Sequence, residues 1–137
     1  MIYCLDTYIC IYYLKGKYPI LLQKMLSINP NDIKIPSIVK AELLHVAEKS
    51  MKREENHEKI TAFLLPFEIV PFGDTAAVYS AKIRATLEQT GMPIGPNDLL
   101  IAATALAINA TLVTNNIKEF SRVDGLRSEN WIESVEH

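Results

Sequence analysis

Cysteine and excess positive charge are both scarce in this 137-residue chain, and each shortage excludes something. There are two cysteines, Cys4 and Cys10. They form no Cys-x-x-Cys pair and no histidine lies near them, which argues against zinc and for two small buried thiols in a reduced protein. Lys and Arg total 14 against 16 Asp and Glu, a formal net charge of −2. A protein that holds nucleic acid by basic charge alone is therefore excluded, whereas a nuclease that meets phosphate through a divalent cation is not. Long apolar runs are missing as well. None approaches the ~18 residues of a membrane span, and Asp6 interrupts the N-terminal Met1-Ile-Tyr-Cys-Leu before a signal-peptide core can develop. The expectation is a cytoplasmic protein without membrane contact. Internal repeats, linkers and low-complexity segments are also absent, so residues 1–137 are expected to form one domain.

What is present centres on residues 91–116, GMPIGPNDLLIAATALAINATLVTNN. Two glycines and two prolines lead into a run, Leu99 to Ile108, in which only Thr104 is not apolar. Such a helix is expected to be buried on nearly every side. Its first turn nevertheless carries Asp98, and a carboxylate cannot enter an apolar core unpaired. A short β-rich segment, Thr111-Leu-Val113, follows almost at once. An acid at the start of a core helix with a strand close behind points to a carboxylate at the edge of a sheet, facing a cleft.

Strand and helix patterns alternate along the rest of the chain. Ile2–Leu5 reads as a buried strand, Asp6-Thr7 as a cap, and Tyr8–Leu14 as a helix stopped by Gly16. A helix is expected over Tyr18–Ile28, a strand at Ile33–Ile35, and a helix from Pro36-Ser37 to Lys49. The charged stretch Met51–Glu58 continues as a helix to Leu65, and Phe67–Pro71 reads as a strand. Gly73-Asp74-Thr75 caps a helix over Ala76–Gln89, with an apolar stripe of Ala76, Tyr79, Ile83 and Leu87. A helical turn at Ile117–Phe120 and a turn or edge strand within Leu126–Ile132 close the chain. This alternation predicts an α/β fold with a short, mainly parallel central sheet flanked by helices.

In open α/β sheets the ligand crevice lies beyond the carboxyl ends of the strands. Asp6 follows the first strand, Asn115-Asn116 follow the strand at 111–113, and Glu42 and Asp98 lie in early turns of two helices. Converging carboxylates raise one another's pKa values unless a cation joins them. Oxygen-only ligands favour Mg²⁺ or Mn²⁺, either of which can activate water and meet phosphate oxygens. Read singly, Asp6 is equally an N-cap, Asp98 a first-turn acid favoured by the helix dipole, and Glu42 a surface residue. Glu42-Leu-Leu-His45 also makes a Glu-x-x-His pair, but the second pair a di-iron bundle requires is absent, so His45 reads as ordinary.

Several segments together resemble the VapC-type toxins of toxin–antitoxin pairs, which are PIN-domain ribonucleases. They are Leu5-Asp6-Thr7 with Ile9-Cys-Ile-Tyr12, Ala41-Glu42-Leu43, Pro93-Ile-Gly-Pro96 with Asp98-Leu-Leu-Ile-Ala-Ala103, Thr114-Asn-Asn116 with Glu119-Phe-Ser-Arg-Val123, and Glu129-Asn-Trp131. The combination is most similar to the subgroup that cuts the anticodon stem-loop of initiator tRNA. The resemblance implies a PIN-like α/β/α fold and a Mg²⁺-dependent endoribonuclease, with Mn²⁺ as the other candidate ion. It implies Asp6 and Asp98 as principal metal ligands, Glu42 as the third acid, a homodimer, and inhibition by a cognate antitoxin. The family's frequent fourth acid falls at Asn116, which then positions water or phosphate. Thr114 would share that wall of the pocket, and Glu119 is a candidate for the missing charge. Arg84 is a candidate phosphate contact, or else the partner of Glu88 on an exposed helix face.

One residue departs from the family pattern. Tyr8 stands where the motif has Asn, and a side chain of that size must turn away or crowd the metal. Lowered activity is the expectation, and an attenuated or inactive module acting through antitoxin or RNA binding is the alternative function. A signalling receiver domain fits poorly, because only one acid follows the first strand and Pro71-Phe72-Gly73 follows the third.

Overall fold

Five strands lie side by side in the order β3-β2-β1-β4-β5 in the computed structural model, which describes residues 1–133. They are β1 (Tyr3–Leu5), β2 (Ile33–Pro36), β3 (Glu68–Val70), β4 (Thr111–Val113) and β5 (Ser128–Glu129). Every pairing among the described residues is parallel. The helices between them are α1 (Thr7–Leu14), α2 (Pro19–Leu26), α3 (Ser37–Glu48), α4 (Arg53–Leu64), α5 (Asp74–Gln89), α6 (Pro96–Ala107) and α7 (Ile117–Phe120), with a 3₁₀ turn at Pro30–Asp32. Parallel neighbours require crossover connections, and helices supply them. The result is the α/β PIN arrangement.

Of the inner strands, β1 and β4 are mostly buried and read as largely apolar runs, whereas β2 is interrupted by half-buried Lys34, which pairs with Glu68 at 2.8 Å. Cys4, Leu5, Ile35, Leu112 and Val113 have no solvent exposure. Cys4 and Cys10 are free, buried thiols, and burial pushes the Cys4 thiol up to about 12. The register aligns Leu5 with Val113, so Asp6 and Thr114 leave the sheet together. Asp6 N donates to Val113 O at 3.0 Å, and Thr114 N donates to Glu129 O at 2.9 Å.

Two helices differ from expectation. In α6 the five residues Ile101–Ala105 are buried, but Leu99, Leu100, Leu106, Ala107 and Ile108 are only half-buried. Helix α5 packs along α6, and Leu99 and Leu100 open onto a hollow shared with Phe72 and Ala77. Thr104 sits inside the buried stretch because its hydroxyl donates to Leu100 O at 2.8 Å. Helix α5 begins at Asp74, with Gly73 in the cap position and no capping side chain. Its buried stripe is Ala76, Ile83 and Leu87, while Tyr79 lies on the exposed margin. Between α6 and β4, Asn109 takes a left-handed turn at φ 54°, and its carbonyl accepts from Arg127 Nη2 at 3.0 Å.

Candidate active site

Asp6 is the first residue beyond β1 and the N-cap of α1. Its Oδ1 accepts from Ile9 N at 3.0 Å, closing the first turn. Capping and site placement therefore coexist in one carboxylate. Asp6 is only 6% exposed, and burial raises its pKa to about 6; hydrogen bonds from Thr114 and Ile9 oppose the rise, and the Glu42 charge adds to it. An uncompensated desolvation of this kind is costly, so a group that stays buried for it marks a candidate site.

Glu42 arrives from the second turn of α3, which begins where β2 ends beside β1. The Thr7 hydroxyl donates to Glu42 Oε1 at 2.5 Å, fixing the carboxylate over the start of α1. Asp98 comes from the first turn of α6, delivered by Gly95-Pro96. It is half-buried, and its pKa rises to about 7 through burial, its contact with Glu119, and the charges of Glu119, Asp6 and Glu42. Three acids from distant parts of the sequence thus lie close enough beyond the carboxyl ends of the strands for their charges to act on one another.

The opposite wall is built from β4 outward. Thr114 is buried and its Oγ1 accepts from Asn116 N at 2.9 Å. Asn116 is exposed, and its Nδ2 donates to Glu119 Oε2 at 2.6 Å. Glu119 Oε1 accepts from Gly95 N at 3.2 Å, tying α7 to the lead-in of α6. Neither Asp6 nor Asp98 has a lysine or arginine as a salt-bridge partner among the described residues.

No three acids, imidazoles or thiols among the described residues close into a preformed metal cage. The donor set still suits a hard cation. Mg²⁺ keeps several waters and takes one or two carboxylates plus substrate phosphates in place of an all-protein cage. Mutually repelling oxygens without a basic partner are what such an ion neutralises.

The remaining sequence candidates separate clearly. Arg84 lies on the exposed face of α5, where its Nε donates to Glu88 Oε2 at 3.4 Å beside a hollow lined by Pro93, Ile94, Pro96 and Leu99. It is the helix-face pair. Tyr8 turns outward and is 64% exposed, so it does not crowd the acids. His45 is exposed and, with Glu42, Lys49 and Asn97, lines a cavity of about 520 Å³ that Thr7 and Tyr8 also border. The Thr7–Glu42 bond and the Gly95 amide contact could not be found from spacing, because their partners lie 35 and 24 residues away.

The sequence matches the PIN domain family over residues 3–126. It is 49% identical over 133 residues to Ribonuclease VapC2 of Rickettsia felis, covering 96% of this chain and 98% of that protein. It is 38% identical over 129 residues to the tRNA(fMet)-specific endonuclease VapC of Shigella flexneri, covering 94% and 97%. Among solved structures it resembles VapBC2 of Rickettsia felis bound to a DNA fragment from their promoter, with a TM-score of 0.90, 46% identity, and coverage of 96% and 99%. It also resembles DNA-bound VapBC of Salmonella typhimurium, with a TM-score of 0.90, 35% identity, and coverage of 96% and 98%. The chain belongs to the PIN-domain family and, within it, to the VapC ribonucleases.

Proposed function

We propose that this chain is the toxin of a toxin–antitoxin pair and acts as a divalent-metal-dependent endoribonuclease on the anticodon stem-loop of initiator tRNA. The observation that supports this reading is that the charges of Asp6, Glu42 and Asp98 act on one another, with the pKa of Asp6 raised to about 6 and that of Asp98 to about 7, each mainly by burial. The relatives named tRNA(fMet)-specific endonuclease from Shigella flexneri and Salmonella typhimurium support the substrate. The VapBC structures support a cognate antitoxin. A homodimer in the cytoplasm and a single domain over residues 1–137 complete the proposal. No helix among the described residues is long and apolar enough to cross a membrane.

Asp6 and Asp98 would hold Mg²⁺ or Mn²⁺, with Glu42 as the third acid. Such an ion supplies an activated water and neutralises charge on the phosphoryl group. Thr7 holds Glu42 in place, and Thr114 steadies both Asp6 and the backbone of Asn116. Asn116 presents its amide at the mouth, backed by Glu119, to position water or a phosphate oxygen. In the hydrolysis, the water oxygen bonds to phosphorus, the bond to the ribose leaving oxygen breaks, and that oxygen takes up a proton.

The test is incubation of the purified chain with total bacterial RNA and Mg²⁺, followed by mapping of the new ends. Cuts confined to the anticodon loop of initiator tRNA are expected. Cuts in another RNA would remove the substrate assignment, and no metal-dependent cuts would remove the enzyme.

A further inference from the structure

We propose that Tyr8 is a positioning residue that stacks on an unpaired nucleobase of the RNA beside the scissile phosphate. The proposal rests on the ribonuclease reading above. Tyr8 lies between Thr7 and Ile9, which are 8% and 0% exposed, yet is itself 64% exposed. It borders the cavity of about 520 Å³ that Glu42 and Asn97 also line, so a base seated on its ring is next to Glu42 and to the residue before Asp98.

The ring is also held in place. Its centroid lies 6.2 Å from that of Tyr12, with the planes inclined at 34°. Tyr12 in turn meets Tyr18 edge-on at 5.3 Å. Lys17 Nζ lies 5.2 Å from the Tyr12 ring and 5.5 Å from that of Tyr18. This aromatic row backs Tyr8 on one side and leaves most of its ring open to a ligand. On the facing wall, His45 and Lys49 line the same cavity and suit phosphates that flank a stacked base.

Charge favours the same use. The chain is net negative and its cleft is acidic, so RNA gains little from general attraction. A neutral aromatic face attracts any unpaired base, and single-stranded RNA is commonly read this way. Asparagine at position 8 cannot supply that face.

The experiment measures KM and kcat in Mg²⁺ on an anticodon-loop hairpin RNA for the wild type, Tyr8→Phe, Tyr8→Ala and Tyr8→Asn. A parallel hairpin carries 2-aminopurine beside the cut, and its fluorescence reports stacking. Tyr8→Ala and Tyr8→Asn should raise KM about tenfold or more and abolish the fluorescence quench, with kcat within about twofold. Tyr8→Phe should match the wild type. Normal KM and quench in Tyr8→Ala, with cleavage intact, overturn the stacking role alone. Weakened binding of the co-expressed antitoxin with unchanged RNA kinetics assigns the ring to a protein contact and also overturns it. A higher kcat at unchanged KM in Tyr8→Asn restores the crowding explanation. A wild type that neither cleaves nor binds the hairpin sinks the ribonuclease reading together with this one.

Discussion

The Thr7 hydroxyl donates to Glu42 Oε1 at 2.5 Å, joining the first turn of α1 to the second turn of α3 across 35 residues. The residue after Asp6 at the start of α1 is thereby tied to Glu42 by a single bond. Thr7→Val keeps the shape and removes the donor. It should lower RNA cleavage about 10- to 100-fold, since a displaced catalytic group is costly at small distances. Stability should fall by only about 1 kcal/mol, the net worth of one hydrogen bond. Thr7→Ser should restore the rate. Cleavage assays and thermal melts of the two variants check this, and an unchanged rate in Thr7→Val would show that Glu42 needs no such support.

Metal-free stability should fall as pH rises. Asp6 moves from 3.8 to about 6 on folding, and Asp98 from 3.8 to about 7. The folded state therefore holds protons that the unfolded chain has released. The stability linked to these groups is fully present below the unfolded pKa of 3.8 and is lost as pH rises through about 6 and about 7. For Asp6, with its side chain almost wholly buried, the shift corresponds to about 3 kcal/mol. In EDTA the melting temperature should be higher near pH 5 than near pH 8, and Mg²⁺ near pH 8 should recover much of the difference. A flat profile in EDTA would mean that neither burial nor repulsion raises these carboxyls on folding.

After burial, Glu119 should be the main contributor to the raised pKa of Asp98. Its two carboxylate oxygens accept from Gly95 N and Asn116 Nδ2, at 3.2 and 2.6 Å, which holds it beside Asp98. Glu119→Gln should move the Asp98 carboxyl towards the ordinary carboxylate range, as followed by ¹³C NMR in the metal-free chain. Asn116→Asp replaces the donor with a second charge, so it should lower the metal-free melting temperature, with Mg²⁺ restoring it. An Asp98 titration that ignores Glu119 would separate the two walls of the cleft.

Much of the fold was legible because its signals are local. Gly16 and Gly91 mark the ends of α1 and α5, both with positive φ, and the apolar runs of β1 and β4 follow from burial on both faces. The turn Ile117–Phe120 falls where its pattern placed it. The misjudged features depend on what packs alongside. Tyr79 fits a helical stripe but lies at its margin, and the ends of α6 are apolar without being enclosed. Convergence of the acids was expected from strand ends, whereas the bonds that orient them join side chains far apart in sequence. Tyr8 shows the same limit. Its size left two outcomes open, turning away or crowding the metal, and only the structure shows the ring 64% exposed and beside Tyr12.

The central claim is that Asp6, Glu42 and Asp98 form a metal-dependent hydrolytic site, and the rate of anticodon stem-loop cleavage by the wild type and Asp98→Asn tests it most directly. Asp98→Asn keeps the shape of the side chain and removes its charge. With Mg²⁺ present it should cleave at least about 100-fold more slowly than the wild type, and EDTA should silence the wild type itself. Cleavage by Asp98→Asn at the wild-type rate, or undiminished wild-type cleavage in EDTA, would contradict the account.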